Sequence, residues 1–64
     1  MDRCQKEHLL DGAGFCCINL AFMVELLQHR PMPPKYLARL HREMLREIQT
    51  IKTVLETLQD DLAR

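Results

Sequence analysis

Cys4 and His8 stand four residues apart, the spacing at which two side chains share one face of a helix. Together they supply two of the four ligands that a structural zinc ion takes. No C-x-x-C or H-x-x-x-H motif supplies the rest, and His29 and His41 belong to other segments. Cys4 and His8 are therefore read as solvated polar residues, and no metal or other cofactor is expected. Cys16 and Cys17 are the remaining thiols. Adjacent cysteines on a helix point in different directions, which disfavours a bond between them. Their apolar surroundings raise a thiol's pKa instead of activating it. The chain has no serine, and Gly12-Ala13-Gly14 lacks both the pattern of a phosphate loop and a strand before it. No nucleophile with its base can be assembled, so the sequence is not expected to encode an enzyme.

Size and charge narrow the class further. Sixty-four residues make one small domain, residues 1–64, of a size that is marginal when folded alone. The apolar fraction of 47% argues against disorder. Three cysteines cannot form a fully paired set, and as reduced small hydrophobes they suit a cytoplasmic protein. Nine basic residues balance nine acidic ones, so no overall field selects nucleic acid or an anionic membrane. Residues 15–27 are apolar, but the mixed start Met1-Asp2-Arg3-Cys4-Gln5-Lys6-Glu7 is not that of a signal peptide. Asn19 and Glu25 interrupt the run, which is shorter than the ~20 residues of a spanning helix, so no membrane insertion is expected.

The elements are helical. Arg30-Pro31-Met32-Pro33-Pro34 ends one helix and opens another, because Pro31 blocks continuation while Pro34 suits a first turn. The pattern gives a first helix at about 11–29, a turn at 30–33 and a second helix at about 34–62. Asp11 would cap the first helix. Leu9 also fits its apolar seam, so a start near Arg3 stays open, with residues 1–10 unassigned. A connection this short makes the two helices antiparallel neighbours.

The first helix is apolar on two faces. Leu9, Ala13, Cys16, Leu20, Met23 and Leu27 follow 4-3-4-3-4 spacing, while Phe15, Ile18, Phe22 and Leu26 lie about a third of a turn away. In the second helix Leu37, His41, Met44, Ile48, Ile51, Leu55, Leu58 and Leu62 repeat at 4-3 spacing. The expected intramolecular seam joins Leu20, Met23 and Leu27 to Ile48, Ile51, Leu55 and Leu58. His41, at a seam position, is read as a helix-end residue with its polar tip in water. Phe15, Ile18, Phe22 and Leu26 are then left as anchors for a partner in the helix-in-groove manner. The second helix is also expected to outrun a shorter neighbour.

Charge is segregated along the second helix. Lys35, Arg39, Arg42 and Arg46 load its beginning, and Glu56, Asp60 and Asp61 load its end. This order opposes the helix macrodipole. It makes Arg39, Arg42 and Arg46 candidates for polar contact with an acidic partner. Zero net charge and a single nearby aromatic, Tyr36, argue against nucleic acid.

From about Asn19 to Leu62 the chain resembles the small co-chaperone of type III secretion needle subunits. The resemblance is carried by a short apolar helix, a proline-marked turn and Lys35-Tyr36-Leu37 opening a longer helix. Arg42-Glu43 and the ending Leu55-Glu56-Thr57-Leu58-Gln59-Asp60-Asp61-Leu62 continue it. The apolar first helix and the three cysteines depart from the pattern. The resemblance implies a hairpin docked on a tetratricopeptide-like chaperone, the two together keeping the needle subunit from polymerising. The expectation is thus an all-α, antiparallel two-helix hairpin that completes a bundle with a partner chain or a second copy. As an adaptor or co-chaperone it would shield the apolar surface of a larger helical protein. The alternative is a homodimeric four-helix-bundle regulator of RNA or DNA.

Overall fold

The computed structural model describes residues 1–63 and contains two helices, α1 (Arg3–His29) and α2 (Pro34–Leu62). They pack antiparallel as a hairpin extending 47 × 15 × 12 Å.

The first helix begins at Arg3, eight residues before the boundary favoured by Asp11. A capping box at Asp2 fixes this start. The Asp2 carboxylate accepts from the Gln5 backbone N–H at 2.8 Å, and the Gln5 side chain accepts from the Asp2 N–H at 3.2 Å. Two otherwise unpaired backbone donors are thereby satisfied. Gly12 and Gly14 lie inside the helix with no positive φ, so neither supplies a turn, and each weakens α1 without breaking it. The helices are consequently of nearly equal length, 27 and 29 residues, and the expected overhang of the second is absent.

Between the helices, Pro33 occupies the N-cap of α2 and Pro34 its first turn. The carbonyl of Pro33 accepts from Tyr36 and Leu37 at 3.0 and 3.1 Å, which starts the α2 ladder. At the open end the Met1 ammonium lies 2.9 Å from an Asp61 carboxylate oxygen. That ion pair raises the amine's pKa, chiefly through its hydrogen bond and then through the charge of Asp61.

The seam is thin. Among the described residues only Cys16 and Val54 are buried. On α1 the half-buried line runs through Leu9, Ala13, Leu20, Met23 and Leu26 beside Cys16. It includes Leu26, expected on the outer face, and leaves out Leu27, expected within. A contact line that follows the seven-residue repeat drifts about 20° per repeat around a straight helix, here toward Leu26.

On α2 the line runs through Leu40, Met44, Glu47, Ile51, Val54, Leu58 and Asp61. Met44, Ile51 and Leu58 were expected there; Leu37, His41, Ile48, Leu55 and Leu62 were too, and all five are exposed. The apolar stripe of α2 is wider than one neighbouring helix covers. It offers columns on both sides of Met44-Ile51-Leu58, and the hairpin closes on only one. The column that faces α1 contains Glu47, beside the Cys16 thiol, and Asp61, paired with the Met1 ammonium.

Two outcomes follow for stability. Val54→Asp places an unpaired carboxylate at a buried site and costs about 3 kcal/mol or more, enough to abolish the helical signal in circular dichroism. Thr53→Asp, on the open flank, shifts the same melt by less than about 0.5 kcal/mol. Separately, a Cβ added at Gly12 or Gly14 meets nothing within 4 Å. Gly12→Ala and Gly14→Ala therefore each stabilise by about 0.5–1 kcal/mol in thermal melts, and a loss of stability would show that the glycines serve a bend.

Candidate protein-binding surfaces

Each helix contacts its neighbour along one line, and the rest of its circumference is open. Two antiparallel helices are related by a local two-fold axis perpendicular to the hairpin plane. Residues that follow the seam positions by one step therefore emerge on the same face from both helices, and residues that precede them emerge on the opposite face.

The preceding side carries Phe15 and Phe22 from α1, one position before Cys16 and Met23. Ile18 lies farther round the back of the same helix. Phe15, Ile18 and Phe22 are 67%, 66% and 61% exposed, values that leave most of each side chain in water. Leu26, the fourth expected anchor, is half-buried at the margin of the seam. Two shallow depressions flank the aromatics. Leu10, Asp11, Gly14, Phe15 and Ile18 line one, and Phe22, Glu25, Leu26, His29 and Arg30 line the other. Each combines apolar wall with one carboxylate.

Across this face α2 contributes polar groups. Arg39, Arg42 and Arg46 line a shallow depression together with Glu43, which lies 3.6 Å from the Arg39 guanidinium. Arg39 and Arg46 precede Leu40 and Glu47 and so emerge on this side, while Arg42 lies on the outer edge of α2 between the two faces. The hydroxyls of Thr50, Thr53 and Thr57 donate back to carbonyls of their own helix at 2.8–3.1 Å.

The following side was not anticipated. Leu10, Cys17 and Val24 emerge there from α1, each one residue after Leu9, Cys16 and Met23. Ile48, Leu55 and Leu62 emerge from α2, one residue after Glu47, Val54 and Asp61, with His41 and Leu37 in line toward the turn. Ile48 and Leu55 are 49% and 58% exposed, so residues expected to close the hairpin form an outer surface instead. Their 4-3 spacing was legible, but periodicity alone does not say which column of a wide stripe meets the neighbour.

No family profile, curated protein or solved structure matches the chain.

The three cysteines are free; Cys4 and Cys17 are exposed and Cys16 is buried. The Cys16 thiol donates a hydrogen bond to the Glu47 carboxylate, which raises its pKa, with burial and the negative charge of Glu47 acting in the same direction. A thiol held in this way is a poor nucleophile. Cys4 and His8 share an exposed helical face, and no cluster of three or more potential metal ligands exists among the described residues.

The early start gives α1 the length and composition to cross a membrane, whereas the run 15–27 considered alone is too short. Asp11 and Glu25 lie on the same exposed side as Ile18, at seven residues before and after it. Hydrocarbon would have to accept both carboxylates.

Thiol labelling checks the inner contact. Cys4 reacts rapidly with a disulfide reagent, and Cys16 reacts at least about tenfold more slowly. Glu47→Gln removes the charge that raises the Cys16 pKa, so it increases the Cys16 rate at neutral pH. An unchanged rate would remove Glu47 as the cause.

Proposed function

We propose that the chain is a protein-binding adaptor or co-chaperone that covers apolar surface on a larger helical partner, stoichiometrically and without chemical turnover. The observation that carries this reading is the exposed line of Phe15, Ile18 and Phe22, with Arg39 and Arg46 of α2 on the same side. Large apolar anchors at i, i+3 and i+7 on a helix match a hydrophobic groove, and aromatic side chains such as Phe15 and Phe22 are frequent hot spots of such interfaces. Arg39, Arg42 and Arg46 suit a groove with acidic residues on its rim. Asp11 and Glu25, placed among the apolar groups, favour a protein groove with cationic margins over lipid.

The pattern shared with needle-subunit co-chaperones of type III secretion supports the same type of partner, a tetratricopeptide-like chaperone in the cytoplasm. Three free thiols suit a reducing compartment. In such a complex the hairpin would complete a helical layer and shield the surface through which the cargo polymerises.

A photo-reactive amino acid at position 22, introduced in the cell of origin, tests the proposal. The expected result is one dominant crosslinked protein of helical-repeat type, recovered at equal stoichiometry. Phe22→Asp weakens capture of that partner by at least about a hundredfold while helical content is kept. An unchanged affinity for Phe22→Asp, or crosslinks to lipid alone, would overturn the reading.

A further inference from the structure

We infer that the opposite face, Leu10, Cys17 and Val24 on α1 with Leu37, Ile48 and Leu55 on α2, receives a second copy of this chain. The two hairpins stack face to face with their turns at opposite ends, as a four-helix bundle. This face lies across the seam from Phe15 and Phe22, and only Leu10 and Arg42, at the outer edges of the helices, border both surfaces.

Three observations carry the inference. The first is shape. Both helices present an apolar column on this side, next to the column that closes the hairpin. A helix in a four-helix bundle needs apolar columns toward two neighbours. The Phe15–Phe22 face lacks this property, because α2 contributes arginines and threonines there.

The second is area. A compact monomer of 7.6 kDa exposes about 4,300 Å² by the scaling of surface with mass. The hairpin exposes 5532 Å², an excess of about 1,200 Å². Burying that excess on each of two copies gives an interface of about 2,400 Å², within the range of permanent homodimers.

The third is charge, and it selects the orientation. Turns at opposite ends lay α2 antiparallel on the partner's α2, so the half bearing Lys35, Arg39, Arg42 and Arg46 meets the half bearing Glu56, Asp60 and Asp61. With the two-fold axis passing near Ile48, Arg42 flanks the partner copy's Glu56, and the symmetric pair repeats it. Turns at the same end would instead gather the basic halves of both copies together. Lys52 lies near the axis, with its ammonium 3.9 Å from Glu56 on its own helix. On α1 the same axis brings Cys17 close to its counterpart, whereas Cys4 lies near the end of the helix.

Sedimentation of the whole chain across a concentration series is expected to give a dimer. Ile48→Asp makes it monomeric, and circular dichroism reports whether the helices survive. A charge-reversal set of exposed residues avoids any doubt about folding. Arg42→Glu and Glu56→Arg each weaken the homodimer roughly tenfold, and an equimolar mixture of the two restores wild-type affinity as a heterodimer. Mild oxidation of a Cys4→Ser variant yields a covalent dimer linked through Cys17. Phe22→Asp leaves the dimer intact, so failure here and failure of partner binding are read separately. A chain that stays monomeric at every concentration overturns the inference. So does a dimer that survives Ile48→Asp and both charge reversals, or one that Phe22→Asp dissociates.

Discussion

Two helices in contact share a single line, and every other feature of this molecule depends on that constraint. A helix adjoining one neighbour buries a narrow stripe; a helix adjoining two buries a broad one. The apolar residues of α1 and α2 are distributed for the second situation, while one chain supplies only the first. The outcome is a hairpin whose closed seam includes, among the described residues, just two buried side chains and whose flanks carry exposed phenylalanine, isoleucine and leucine. Apolar side chains of that size, concentrated on particular flanks, mark interaction surfaces and not merely the ordinary apolar content of a protein exterior.

Much of the fold was legible because it rests on local covalent facts. Proline at 31, 33 and 34 leaves no freedom over where one helix ends and the next begins, and the 4-3 repeat of the second segment fixes its helical state. The start of α1 was obscured by a competition. Asp11 with two nearby glycines reads as a cap, whereas Asp2 and Gln5 form the actual one at capping-box spacing. Helical continuity overcomes two glycine penalties of about 1 kcal/mol each, since Leu9 and the residues before it gain contacts along α2.

The binding surfaces were half legible. Phe15, Ile18 and Phe22 stand out in sequence because they fit no position of the first seam. The second surface stayed hidden, because Ile48 and Leu55 fit the α2 seam as well as Val54 does. The column that faces inward also carries polar groups: Glu47 lies beside the Cys16 thiol and Asp61 pairs with the Met1 amine. A glutamate between apolar residues reads from sequence as an interruption of a stripe. In the structure it lies within the seam, a placement of polar groups that is well attested in coiled coils.

The thinness of the seam also has a calorimetric consequence. The heat capacity change of unfolding scales with the apolar surface that becomes exposed, and a single hairpin with two buried side chains has little left to expose. Its intrinsic transition is therefore shallow, with a small enthalpy and a gentle temperature dependence. Cooperativity enters with whatever covers the flanks, so the sharpness of melting reports on occupancy of the surfaces more than on the fold of the chain.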